Sequence, residues 1–324
     1  MAGVLTVHLL AMNVACGGPL LCIWLSSGER NSKHSKANVG HSLAWLSICA
    51  YLIGLLTGGG LLLLPLADEL RGAMGRFPAR AYWFAGAELL FSALCLWVYA
   101  RLWGRRHRWR WVHALVALVA VTNLLYHFPP LMVVLGKLAR DPAWTVEAVI
   151  DRPLFLKLMV RPEVLSLSLH FGLASFAVAA MAVLAVIARK EFTDSQQKSC
   201  RGAARIALLS TLLQLPVGIW VLTEISESAR GTLLGGNVLA SALFLGSLLT
   251  TVYLLQGLTR IALGDFVIRD CQRVFWLSVF VVLLMTATLR LSRQKEQGVP
   301  VAVKETSLGE EAPRLAESKN AREF

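Results

Sequence analysis

The sequence predicts an all-α fold, a polytopic membrane bundle of about eight transmembrane helices. Three observations predict it. The 324-residue chain is 56% hydrophobic and only 16% charged, with a mean hydropathy of +0.59, a balance that one soluble core cannot hide. Its apolar residues fall in runs of roughly twenty, the length that crosses the hydrocarbon layer as a helix at about 1.5 Å per residue. The Lys and Arg residues stand at the ends of those runs, so the formal net charge of +12 marks topology and not a nucleic-acid partner.

The spans follow in order at 4–25, 40–66, 82–103, 111–136, 163–188, 203–223, 237–259 and 272–291. The first is apolar from Val4, with no basic stretch before it and no small-residue cleavage site, and reads as a retained helix. The second contains GLLTGGG, Gly54 to Gly60, small residues that let helices approach closely or that break a helix beside an ion. The third carries Glu88, and the fourth ends in TNLLYHFPP, where Pro129 and Pro130 are expected to end or kink the helix. The fifth lies between Arg161 and Arg189 and holds His170 beside Gly172, Ala174 and Ser175, with Ser166 and Ser168 giving it a partly polar side.

The longest connection, Lys137 to Pro162, contains Trp144, Val146, Val149 and Ile150 and is expected to form a short helix along the outer surface. Arg101 to Arg110, with Trp103, Trp109 and Trp111, reads as an interfacial anchor. From 295 to 324 the composition turns polar and predicts a disordered tail after a transmembrane domain spanning 1–294.

Loop charge sets the orientation. The loops after spans one, three, five and seven hold sixteen Lys and Arg against nine in the loops between, which places the first set in the cytoplasm and the N-terminus outside. An even number of spans puts the C-terminus outside as well, although Arg290, Arg293 and Lys295 directly after the last span weigh the other way.

The six cysteines, Cys16, Cys22, Cys49, Cys95, Cys200 and Cys271, show no CxxC or CxxCH spacing, which removes zinc knuckles and covalent haem attachment. There is no P-loop, GxSxG or HExxH, so the common soluble hydrolase and nucleotide-binding chemistries have no footing.

Polar residues at membrane depth are costly and therefore informative. Threading the spans alternately places His8, Glu88, His127 and His170 in the outer half on four different helices. A carboxylate there costs roughly 2.5–3.5 kcal/mol on insertion scales and needs a partner, a proton or a job. Imidazole is the usual axial ligand of b-type haem, and a nearby carboxylate can manage protons. The small residues after His8 (Ala11, Ala15, Gly17, Gly18) leave room for a flat group or a close helix. His8, Met12 and Cys16 recur at four-residue spacing, a packed helical stripe or a soft-ligand copper site. His41 and His113 fall near the cytoplasmic ends of their helices, and His34 and His107 lie in basic loops.

On these residues the first two thirds of the chain resembles subunit I of the cytochrome bd quinol oxidases. That family opens its first helix with a haem-ligating histidine, matched here in VHLLAMNVACGGPLLCIWL by His8. Its second helix carries G-x-x-T-G, as in GLLTGGG. A glutamate thirteen residues before an arginine matches Glu88 and Arg101, and the fifth-helix histidine matches His170 in LHFGLASFAVAAM. The resemblance implies haem b, with the high-spin haem on His8, the low-spin haem on His170 and proton handling by Glu88. Oxygen or a similar small oxidant would be reduced at the high-spin iron.

The departures are equally specific. The family's second glutamate is replaced by Arg80, the large quinol loop after the sixth helix is absent, span seven contains no methionine, and there is no GRQPW motif. The resemblance is therefore to a shortened, divergent relative in a bacterial inner membrane, its N-terminus periplasmic. Such a relative would exchange electrons with a second membrane subunit or a periplasmic carrier, its sequence lacking the family's usual quinol site. His127 is the candidate for a missing ligand. The alternatives are a proton or ion channel or transporter lined by Glu88, His127 and His170, and a haem-free structural subunit of a membrane complex.

Overall fold

A computed structural model describes residues 2–27, 35–63, 68–103, 110–189 and 194–297. Among the described residues there is no strand, and the chain forms α1 (Ala2–Ser27), α2 (Ser35–Leu62), α3 (Asp68–Gly75), α4 (Ala79–Arg101), α5 (Arg110–Arg140), α6 (Arg152–Met159), α7 (Pro162–Ile187), α8 (Asp194–Glu224), α9 (Glu227–Gly231), α10 (Val238–Leu263) and α11 (Ile268–Gln297). Eight of these, all but α3, α6 and α9, are long and apolar enough to cross a membrane. The expected all-α, multi-pass bundle is what the chain builds. The polar tail from 298, His34, His107, Trp109 and the end of the second span at 64–66 lie outside the described residues.

The bundle is built around α1 and α7. Over their most apolar stretches 61% of α1 and 56% of α7 is buried, against 11–33% for the other six, so these two form the centre and the rest face outward along much of their length. Hydrophobicity does not hold helices together in lipid; close van der Waals packing and interhelical hydrogen bonds do. Gly17 of α1 lies directly against the Ser175 carbonyl of α7, and a Cβ there would stand 2.8 Å from the Ala179 Cβ. At the same crossing the Ser175 hydroxyl donates to Asn13 Oδ1 at 2.9 Å. Thr6 of α1 exchanges a 2.7 Å hydroxyl bond with Thr286 of α11.

The three short helices sit on one face of the bundle, where α1 starts. Ala73 of α3, Leu138 of α5, Ile150, Phe155 and Leu158 of α6 and Val164 of α7 make one buried cluster there. Arg76 stitches it together, donating to the carbonyls of Pro142 at 2.8 Å, Thr145 at 3.1 Å and Glu147. The 137–162 connection does hold a short helix, α6, but the residues that suggested one lie before it: Trp144 ends a single 3₁₀ turn and Val146, Val149 and Ile150 are not helical. α6 is capped by Asp151, whose carboxylate accepts from the Leu154 N–H at 3.0 Å. Val146 and Val149 stay exposed and Ile150 is buried. On the same face, residues 232–236 form a single wide turn with Gly235 at φ +124° before Asn237 caps α10.

Two further details differ from the sequence expectations. α5 does not end at Pro129 and Pro130 but continues as helix to Arg140, with α3 and α4 packed against it. Trp103 is buried and packs on Gly40, Tyr99 and His113, so it belongs to the core at the opposite end of the bundle, whereas Trp111 is exposed as an anchor should be.

Candidate functional site

Each histidine of the predicted outer layer has a distinct setting. His8 lies in a groove on α2 made by glycines one turn apart. A Cβ on Gly58 would stand 2.8 Å from His8 Cε1, and Gly54 gives the same room to Met12. His8 Nδ1 is 2.9 Å from the Gly54 carbonyl. A carbonyl only accepts, so Nδ1 carries the hydrogen and Nε2 keeps its lone pair. Thr57 donates its hydroxyl to the Ile53 carbonyl at 2.7 Å and stands 3.4 Å from the same nitrogen. The GLLTGGG segment is thus a helical cradle for His8 and Met12. Cys16, the third member of that stripe, is buried beside Tyr51 in a cluster with Leu96 and Leu124.

His170 is placed differently. Its Nδ1 is buried with no hydrogen-bond partner, as are the hydroxyls of Ser166 and Ser168 on the same helix. Gly218 of α8 faces the ring, and a Cβ there would lie 3.8 Å from His170 Cε1. Nothing lies within 4 Å of a Cβ added at Gly172. A buried imidazole and a fully buried Ser166 without partners are costly unless something else satisfies them.

The two histidines share a level. Asn13 bonds Ser175 and, four residues on in both helices, Gly17 meets Ala179, so α1 and α7 run parallel in register. His8 and His170 each lie five residues, roughly 7.5 Å, before that bond. Two imidazoles with available nitrogen therefore sit at one depth on the two central helices.

Glu88 and His127 meet each other instead. Their Oε2 and Nε2 are 3.6 Å apart, each side chain about a third exposed (33% and 29%), and Glu88 Oε2 makes no hydrogen bond. Asn123, one turn before His127, positions the pair by donating to the Glu88 carbonyl at 3.0 Å and to Ser92 Oγ at 2.8 Å. His127 also packs 5.6 Å from the Phe155 ring. A carboxylate and an imidazole at this separation can share or pass a proton. Among the described residues no hydrogen bond, ion pair or ring contact links this pair to His8 or His170, so the structure brings together Glu88 with His127, and levels His8 with His170.

As for what these residues could hold, an axial ligand of haem is a neutral imidazole with a free lone pair, usually with its other N–H held by a carbonyl. His8 meets both conditions, and the partnerless nitrogen of His170 meets the first. These residues fit the group. Among the described residues no three of His, Cys, Asp and Glu converge as a site for a bare metal ion, and the soft-ligand stripe on α1 is packed against α2 and the core.

The sequence reading singled out Asn123 in TNLLYHFPP but missed Asn13 and the pairing of Cys200 with Cys271, whose buried Sγ atoms are 3.9 Å apart. Asn13 and Asn123 were visible as amides at membrane depth, a signal as strong as the histidines. It also missed His113, which is buried and stacked 3.9 Å from Tyr99, with Nε2 2.9 Å from the Tyr99 carbonyl. No family model, no curated protein and no solved structure matches the chain.

Proposed function

We propose that this chain is a haem-binding electron-transfer subunit of a bacterial inner membrane, a shortened relative of cytochrome bd subunit I over α1 to α8. The observation that carries the reading is the pairing of His8 and His170 at one level of the two central helices. One has its tautomer fixed by Gly54, and the other is buried without a partner. His8 and His170 would hold haem b, which supplies a one-electron couple and, where five-coordinate, a binding position for oxygen or a similar small oxidant.

The chain's own residues have separate tasks. Gly54 orients the His8 ring and raises the basicity of Nε2 by accepting from Nδ1. Gly54 and Gly58 give the ring its place, and α1 and α7 are locked in register by Asn13 and Ser175. Glu88 holds or releases a proton at Oε2 with His127 as its neighbour, and Asn123 fixes the backbone that carries it. His127 is thereby a partner of Glu88 more than an iron ligand. With no quinol loop in the sequence, electrons would arrive from a second membrane subunit or a periplasmic carrier. The excess of Lys and Arg in alternate loops puts the N-terminus, and with it the site, on the periplasmic side.

A second reading, a proton-conducting or transport protein, is favoured by the Glu88–His127 contact. Haem content separates the two. Protein purified from haem-replete cells should carry haem b near stoichiometrically, and His8→Ala and His170→Ala should each remove a distinct spectral component. Full haem content in both variants would end the proposal, and Glu88→Gln abolishing proton flux in haem-free protein would install the rival.

A further inference from the structure

At the end of the bundle opposite the histidine layer, a cleft of about 280 Å³ opens between α2, α7 and α11. Its walls are apolar, formed by Leu46, Ala182, Ala185, Val186, Phe275 and Trp276, and its polar lining is Arg189 and Gln272. From Ala182 to Arg189 the cleft runs about 10 Å inward from the charged end. Arg269 precedes Gln272 by three residues and so shares its face of α11, one turn nearer the charged end. Arg189 and Arg269 are both exposed, and among the described residues neither has a carboxylate within ion-pair distance.

An apolar slot on the lipid-facing side of a membrane helix bundle is filled by an acyl chain. An unpaired guanidinium in the lining, Arg189, and a second one turn beyond Gln272, Arg269, ask for an anion, and the arginine fork matches the oxygens of a phosphate. A zwitterionic lipid satisfies the walls and leaves this charge uncompensated. An anionic phospholipid satisfies both. The loops at this end are the arginine-rich set, which belongs against the anionic leaflet.

We propose that this cleft binds one anionic phospholipid, its phosphate on Arg189 and Arg269 and one acyl chain along Ala182, Ala185 and Phe275. The site is independent of haem. It is tested on the full-length protein, stripped of lipid in detergent, by native mass spectrometry and melting temperature. The probes are phosphatidylglycerol and phosphatidylcholine of matched chains, with inorganic phosphate alone as a third.

Wild-type protein should retain phosphatidylglycerol roughly thirtyfold over phosphatidylcholine, as expected for two cations near the bilayer surface. The double variant Arg189→Gln/Arg269→Gln should lose that preference while still taking phosphatidylcholine, and Ala185→Phe, which fills the slot, should weaken both lipids. Equal retention of the two lipids by the wild type overturns the proposal, as does a preference that survives the double variant. Undiminished lipid binding by Ala185→Phe, or stabilisation by inorganic phosphate equal to that by phosphatidylglycerol, overturns it as well.

Discussion

Gly17→Ala tests the register of α1 and α7, on which the level of His8 and His170 depends. The added methyl would stand 2.7 Å from the Ser175 carbonyl carbon and 2.8 Å from the Ala179 Cβ, about 1 Å inside the 3.5–4.0 Å optimum for carbon pairs. The obstacle is backbone and a Cβ, which have no rotamer to yield, so the helices must part. Overpacking of this kind costs about 1–3 kcal/mol, and loosening the buried Asn13–Ser175 bond adds roughly 0.5–1.5 kcal/mol. Alanine itself favours helix over glycine by about 1 kcal/mol, which a control cancels. Gly86→Ala makes the same change where nothing lies within 4 Å. In equilibrium unfolding of the purified protein in mixed micelles with SDS, Gly17→Ala should be about 2–4 kcal/mol less stable than Gly86→Ala. Equal stability of the two variants would refute the close parallel packing of α1 on α7.

Other perturbations follow from single contacts. Gly58→Ala drives a methyl to 2.8 Å from His8 Cε1, displaces the ring from the Gly54 carbonyl, and should weaken haem retention by about 10–100-fold, read by titration of apo-protein; unchanged retention removes the α2 cradle from the account. Cys200 and Cys271 are 3.9 Å apart, so diamide treatment should convert both to a disulfide, with a loss of two hydrogens by mass, and Cys200→Ser should show none. The Thr145 hydroxyl, then the Glu147 backbone N–H and the charges of Lys157 and Arg161, hold the Glu147 carboxyl below its ordinary value. A depressed folded-state value stabilises the 142–150 loop at neutral pH and the contribution is lost as pH falls through that value. Trp144 fluorescence should therefore shift on acidification below the ordinary carboxylate range, and Glu147→Gln should flatten that shift.

The membrane bundle was legible because hydropathy and span length carry it directly: the eight helices start and stop near the expected charges. Packing partners were not legible. Glu88 and His127 announce themselves as costly groups, but that they meet each other depends on the rotation of α4 against α5, fixed by Asn123, which periodicity does not encode. GLLTGGG shows in sequence as a place for close approach, yet only the rotation of α1 decides that His8 and Met12 fill it. Trp103 looked like an interfacial residue because arginines surround it in sequence. Gly40 opposite gives its ring a buried seat, and nothing in the 101–110 segment reveals that. Pro129 and Pro130 kept their helix because neighbouring helices restrain it, a tertiary effect that overrides a local breaker.

The most direct test of the central claim is a dithionite-reduced minus oxidised absorption spectrum of the purified protein in detergent, with haem quantified as the pyridine complex. Haem b bands at near-stoichiometric content are expected, divided between components that disappear separately in His8→Ala and His170→Ala. A spectrum without haem bands from haem-replete cells would contradict it.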